Sequence, residues 1–337
     1  MALGTLTPRP LNLSNNSIMP CQVNPQTLVG NILPPVLILE MIVGLPGSLL
    51  ALWLFCFRLR DWKSNTQFLF NLVLADFFLL VSVPFQIHNI ILEEYWVFGP
   101  VWCRVNLFML AVNRSASIAF MTAVAVDRYL KVVHPHHRIN RMTQTQAPRL
   151  AGLIWAVVLA LRLPLLSVPL LHQDGNVSLC RSFGFKSVVP VIKLHYIIYI
   201  GEFFLPLLML IFCTAQISCV LRQRQLDKEQ KVRRALRTVT AIVVVFVVCF
   251  MPGIIMALTG LLTEKVRKVD CVTDAVVSQL FRLSIGFTYM NSALDPIIYV
   301  LSSSMFREAL KSLYYSVAVG DQYREGRNRC RSTNTDG

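Results

Sequence analysis

About seven runs of mainly apolar residues, each long enough to cross a bilayer, divide this chain and limit what it can fold into. They fall at Ile32–Phe57, Phe68–Ile91, Trp102–Val132, Leu150–Leu171, Val191–Leu221, Ala235–Leu262 and Ala275–Leu301. A hydrocarbon core of about 30 Å takes about 20 helical residues. Inside it every backbone N–H and C=O must be satisfied within the segment, which favours helices. Composition agrees: 55% of residues are hydrophobic, 15% are charged and mean hydropathy is +0.56, whereas soluble domains carry about 25% charged residues. One soluble core could not hide that much apolar surface. The expected fold is all-α, a seven-transmembrane helix bundle over residues 29–301. A tail at 1–28 precedes it; it has no continuous apolar run, so it reads as an exposed tail and not a signal peptide. After the bundle, Phe306, Leu310 and Leu313 recur at near-helical spacing beside Arg307 and Lys311, which suits a short amphipathic eighth helix at 302–316 lying on the membrane, followed by a tail at 317–337.

Lys and Arg in the short loops orient the bundle. Arg58, Arg60 and Lys63 lie between spans one and two, and Lys131, Arg138, Arg141 and Arg149 between three and four. Arg222, Arg224, Lys228, Lys231, Arg233, Arg234 and Arg237 lie between five and six. That side is expected to be cytoplasmic, with the N-terminus extracellular in the plasma membrane. Much of the net charge of +14 flanks the spans, where it favours anionic lipid and not nucleic acid. The glycosylation acceptors Asn12, Asn15 and Asn176 share the opposite side, whereas Asn113-Arg114-Ser115 lies inside a span and should stay unmodified. Of nine cysteines, Cys21, Cys103, Cys180 and Cys271 fall on the outer side, where disulfides persist. Cys56, Cys213, Cys219 and Cys249 read as packing residues.

Three short motifs sit on three of the spans: Leu74-Ala75-Asp76; Asp127-Arg128-Tyr129 with His134-Pro135; and Asp295-Pro296-Ile297-Ile298-Tyr299. Ionisable residues inside a span are expensive and point to function. In this order and spacing the motifs resemble those of rhodopsin-like (class A) G-protein-coupled receptors, a resemblance that covers roughly residues 29 to 316. It implies a Cys103–Cys180 disulfide, which leaves Cys21 and Cys271 as the remaining outer pair. It also implies that Arg128 pairs with Asp127 at rest and meets the G protein when span six swings out. Span six starts Val232-Arg233-Arg234 and lacks the acid that usually holds this arginine. Asp76, Ser117, Asn291, Ser292 and Asp295 resemble the family's sodium pocket; two buried carboxylates need a cation or a proton, and a water-filled polar network is the other reading. No other cofactor is expected. Departures from the family pattern are Ser48 for an Asn, Phe250 for a Trp above Pro252, Asp295 for an Asn before Pro296, and Thr214 for a Tyr. Pro84, Pro206, Pro252 and Pro296 are candidate kinks.

Arg114 is the main specificity feature. It lies about three helical turns inside Cys103, and a buried guanidinium needs an anion, which it can hold as a bidentate fork. The surrounding Asn106–Arg114 phrase, with Trp62-Lys63-Ser64, Glu202-Phe203-Phe204-Leu205-Pro206 and Phe287-Thr288-Tyr289-Met290-Asn291-Ser292, resembles the hydroxycarboxylic acid receptors for lactate, hydroxybutyrate and nicotinate-type acids and the related oxoeicosanoid receptor. In that subgroup the matching arginine anchors a ligand carboxylate; an internal pair with Glu202 is the alternative. Ser182, Phe183 and Tyr289 are further pocket candidates, with Tyr289 as a second donor beside Arg114. His88, His195 and Tyr199 follow. Arg162, inside span four, could face lipid, pair with Glu202 or assist the ligand. Ala257 leaves room for a larger acid, whereas Val126-Asp127-Arg128 with His134-Pro135-His136-His137 leans toward short-acid receptors. The resemblance implies an inhibitory-class G protein and arrestin as partners. A non-signalling acid scavenger and an organic-anion transporter are alternative functions, although internal repeats of the transporter kind are lacking. The chain has neither His-Glu-x-x-His nor Gly-x-Ser-x-Gly, so an enzyme is not expected.

Overall fold

The computed structural model describes residues 26–58, 62–92, 95–135, 146–174, 177–180, 190–223, 229–265 and 271–315. The expected spans are present as long helices: α1 (Gln26–Trp53), α2 (Ser64–Ile91), α3 (Gly99–Val133), α4 (Gln146–Arg162), α5 (Pro190–Gln223), α6 (Glu229–Lys265) and α7 (Cys271–Ser302). A further helix, α8, runs over 304–315. Six of the seven long helices are apolar enough over their described residues to cross a membrane; α7 is diluted by Arg282, Asn291 and Asp295. Outward side chains such as Leu205, Leu208 and Ile197 are exposed, while Asp76, Asn113, Ser117, Asn291 and Asp295 are buried. Apolar outside and polar inside is what a lipid solvent selects.

Several expected boundaries move. The fourth span does not reach Leu171 as a helix: α4 stops at Arg162, continues as a 3-10 segment over Leu163–Ser167, and a strand starts at Leu171. Pro164 removes a backbone donor just past the end, and Arg162 meets the negative end of the α4 dipole. The prolines at 84, 206, 252 and 296 all lie within helices that run on through them. The α1 helix finishes in a π-helical stretch, Leu54–Arg58. That stretch buries Phe55 against the rings of Tyr299 and Phe306, at 6.4 and 5.5 Å between centroids. Phe306 is the buried anchor of α8, and Tyr314 and Tyr315 are its exposed end.

Strands β1 (Leu171–Asp174) and β2 (Val177–Cys180) form an antiparallel hairpin before α5. Two ties fix it to the bundle. The Cys103–Cys180 disulfide joins β2 to α3, and the Trp96 N–H donates to Ser178 O at 2.8 Å. Gly99 opens α3 at φ 78°, a left-handed conformation that glycine adopts freely. α3 is the hub, packing on α2, α4, α5 and α6, while α7 packs on α1, α2 and α6. Trp155 Nε1 donates to Asn71 Oδ1 at 2.8 Å, tying α4 to α2. Cys21, Asn12, Asn15, Asn176, Ser182, Phe183 and the Cys271 side chain lie outside what is described.

Candidate ligand site and signalling core

The first polar centre forms where α3, α4 and α5 meet. On α5, His195, Tyr199 and Glu202 follow one another at spacings of four and three, so they share one face. That face meets Arg114 and Ser115 of α3 and Arg162 at the end of α4. Arg162 Nη2 donates directly to Glu202 Oε2, its Nε to Ser115 Oγ at 2.9 Å, and its Nη1 to His195 Nδ1 at 2.9 Å. A guanidinium can only donate, so His195 accepts through Nδ1 and is a neutral imidazole in this contact. Ser115 Oγ lies 2.9 Å from both Ala111 O and Glu202 Oε2; its single proton serves one of them at a time.

Arg114 is held differently. Its Nη1 and Nη2 both point at one acceptor, Tyr199 O, at 3.4 Å each, the long end of the hydrogen-bond range. Its approach to Glu202 Oε2 is 3.7 Å, and its Nε has no hydrogen-bond partner among the described residues. The guanidinium stacks 3.7 Å above the Tyr199 ring and 5.5 Å from the Phe250 ring centre, geometry that favours a cation over aromatic faces. Phe250 packs edge-on against Phe246 at 5.3 Å, and Phe246 stacks on Phe203 at the same distance. A continuous contact therefore runs from Arg114 to the middle of α6.

Of the expected pocket residues, Arg114, Arg162, His195, Tyr199 and Glu202 come together, and Arg162 resolves as the main partner of Glu202. Tyr289 does not join them. It is buried with Leu37, Leu79, Val83 and Ile87 in a separate α1–α2–α7 cluster, because α7 turns that position toward α1. His88 packs on Phe98 at 5.1 Å. Ser115 and Gly253 were missed by reading the sequence. Ser115 was legible only as the residue beside Arg114. Gly253 matters because a Cβ there would collide with the Tyr199 hydroxyl. Gly253→Ala should therefore displace the ring under Arg114. Overpacking of this kind costs about 1–3 kcal/mol, so the purified protein should melt earlier, and Gly253→Ala/Tyr199→Phe should recover the loss. Equal melting temperatures for Gly253→Ala and wild type would refute the contact.

The second centre lies deeper, between α2 and α7. Asp76 accepts hydrogen bonds from Ser292 Oγ at 2.9 Å and Tyr299 Oη at 2.6 Å. Asn291 Nδ2 donates to Asp295 Oδ2 at 3.0 Å. Among the described residues, buried oxygens of Ser117, Asn291 and Asp295 have no hydrogen-bond partner. Uncommitted hard oxygens beside two carboxylates fit a small cation. Ser48 is buried and has no hydrogen-bond partner among the described residues, so it makes no bond to Asp76.

At the far end of α3 one expectation is overturned. Arg128 does not pair with Asp127. Asp127 binds Lys131 Nζ at 2.7 Å, one turn along the same helix face, and Ser64 Oγ at 2.8 Å. Arg128 points the other way and donates from Nη2 to Ser302 O at 2.7 Å. The neighbouring carbonyls are also capped: Arg307 Nη1 donates to Val300 O at 2.7 Å and Thr238 Oγ1 to Leu301 O at 3.1 Å. Helix ends leave such carbonyls unsatisfied and carry negative potential, which draws the arginine to α7. Thr214, where the family often has a Tyr, donates to Leu210 O of its own helix.

Comparison with known proteins agrees with this architecture. Residues 47–299 match the 7 transmembrane receptor (rhodopsin family) model. Hydroxycarboxylic acid receptor 2 of Homo sapiens is 42% identical over 294 residues, covering 87% of this chain and 80% of the relative. Oxoeicosanoid receptor 1 of Homo sapiens is 40% identical over 297 residues, with coverage of 87% and 75%. The 12-(S)-hydroxy-5,8,10,14-eicosatetraenoic acid receptor of Mus musculus is 32% identical over 297 residues, with coverage of 85% and 91%. These relatives are receptors and not enzymes. With the family model spanning most of the bundle and relatives this close along nearly its whole length, the chain belongs to the rhodopsin family of seven-transmembrane G-protein-coupled receptors.

Proposed function

We propose that this receptor recognises hydroxy or oxo carboxylic acids, that Arg114 holds the carboxylate, and that signalling runs through inhibitory-class G proteins. The observation that carries the reading is the state of Arg114: its donors are spread over one carbonyl at 3.4 Å, and the nearest carboxylate is taken by Arg162. An arriving carboxylate offers two strong acceptors in the plane of the fork. The names of relatives at 42% and 40% identity point to the same ligand class.

The contacts supply a route from ligand to α6. A carboxylate that draws the guanidinium away weakens its contact with Phe250, and Phe250 is free to reorient against Phe246 and Pro252. The outward swing of α6 would then break the Thr238–Leu301 bond and expose Arg128 for the G protein. Tyr129 belongs to the same end of α3, where its ring meets Phe212 of α5 at 5.5 Å. Tyr299 donates to Asp76 and ties α7 to α2, and Pro296, one turn before it, would be the hinge. Asp76, Ser117, Asn291, Ser292 and Asp295 would hold a sodium ion, which supplies positive charge between the two carboxylates and favours the resting packing. The Lys- and Arg-rich loops would face the cytoplasm and anionic lipid, where the active receptor would also meet arrestin.

A direct test is a G-protein activation screen in transfected cells against lactate, hydroxybutyrate, nicotinate and hydroxy fatty acids up to 12-(S)-hydroxy-5,8,10,14-eicosatetraenoic acid. At least one acid should lower cyclic AMP, and pertussis toxin should remove the response. No response to any acid sinks the ligand class, and a toxin-resistant response sinks the coupling.

A further inference from the structure

Arg114 and Arg162 compete for one carboxylate, and the geometry records the result. Glu202 Oε2 is in direct contact with Arg162 Nη2 and 3.7 Å from Arg114 Nη1. Arg162 is 1% exposed; its other two contacts, to Ser115 Oγ and His195 Nδ1, hold the guanidinium plane from α3 and α5. His195 cannot supply charge to the cluster, because it accepts from a donor-only group. Among the described residues, Glu202 is the carboxylate within salt-bridge distance of either arginine. Among the described residues two cations therefore face one anion, which leaves this cluster one unit positive.

We propose that Arg162 is a positioning residue for ligand recognition: it sequesters Glu202, keeps the fork of Arg114 open, and sets the charge of the site to accept singly charged acids. The inference rests on the reading that Arg114 receives the ligand carboxylate. Without Arg162, the cation left beside Glu202 is Arg114. The 3.7 Å gap would close into a forked pair, and the ligand would have to displace an intramolecular carboxylate already in place. Arg162 is buried among its own three partners and does not itself meet the ligand.

The closing experiment uses the full-length receptor at matched surface levels and the most potent monocarboxylate from the screen. Arg162→Leu should reduce its potency about 10- to 100-fold, the range of coupling between residues in one ionic network. The variant exchanges one Glu202 pair for another, so it should still reach the surface; Arg162→Gln makes the same charge change with a polar side chain if leucine does not. Arg162→Leu/Glu202→Gln, which frees Arg114 again, should return potency to within about threefold of wild type. A merely structural Arg162 would not be rescued by losing its partner as well. Glu202→Gln alone leaves two cations uncompensated, so glutarate should gain on butyrate by about tenfold relative to wild type, roughly one additional charge pair. Unchanged potency in Arg162→Leu, failure of the double variant to recover, or an unchanged glutarate-to-butyrate ratio would each overturn the proposal. A wild-type receptor silent to all acids is a different result: it overturns the proposed function, and this inference with it.

Discussion

Arg114→Ala is expected to abolish the response to carboxylic acids while leaving most receptor at the cell surface. The guanidinium is buried, and its present ties are two long bonds to Tyr199 O, a 3.7 Å approach to Glu202 and a stack on Tyr199. Removing it forfeits little folding energy, because Glu202 keeps its bond to Arg162. The ligand loses more. A buried, hydrogen-bonded charge pair is worth about 2–5 kcal/mol on truncation, partly because the other charge is left unpaired. That is about a 30- to several-thousand-fold loss of affinity. Arg114→Lys should also be poor, since an ammonium keeps the charge but loses the planar fork and stacks less well on Tyr199. Surface levels and concentration–response curves for the two variants decide the matter. Normal potency in well-expressed Arg114→Ala would remove the carboxylate anchor.

Asp76→Ala should be the most damaging substitution in the deeper core. It leaves the Ser292 and Tyr299 hydroxyls buried without their acceptor. Each orphaned buried donor costs about 1–3 kcal/mol, a large share of the stability of an ordinary domain, about 5–15 kcal/mol. Thermal stability of the purified receptor should fall by many degrees. Asp76→Asn keeps one acceptor oxygen, so its loss should be smaller. If sodium occupies the pocket, raising sodium chloride against choline chloride at constant ionic strength should weaken agonist binding in wild type. Asp76→Asn and Asp295→Asn should both lose that dependence. Sodium-independent agonist binding in wild type would leave the pocket a purely hydrogen-bonded network.

The fold was legible because lipid imposes a rule that sequence cannot evade. Runs of about 20 apolar residues, basic loops and polar residues within spans are all local patterns, and each reads without knowing which helix lies beside which. Arg114, Asp76, Asp127 and Arg128 were singled out on that ground, because a charge in a span stands out against its own neighbours. The eighth helix was legible in the spacing of Phe306, Leu310 and Leu313 for the same reason.

What a charge touches is a different matter. The family resemblance implied that Arg128 pairs with Asp127, yet adjacent residues on a helix point apart. Lys131 takes Asp127 from the next turn, while the open end of α7 takes Arg128. Tyr289 is expected from sequence to stand beside Arg114, but the rotation of α7 buries it against α1 and α2. Arg162 had three readings of equal weight until the end of α4 placed it against Ser115, His195 and Glu202. Sequence patterning by itself determined where the long helices lie, which stretches are apolar and which charges are costly, since those depend on the bilayer and on neighbours along the chain; it did not fix where the fourth helix ends. Tertiary packing alone decided which of two arginines keeps Glu202. That choice depends on where three helices bring their side chains together, and Coulomb and hydrogen-bond energies change steeply over the last ångström of approach.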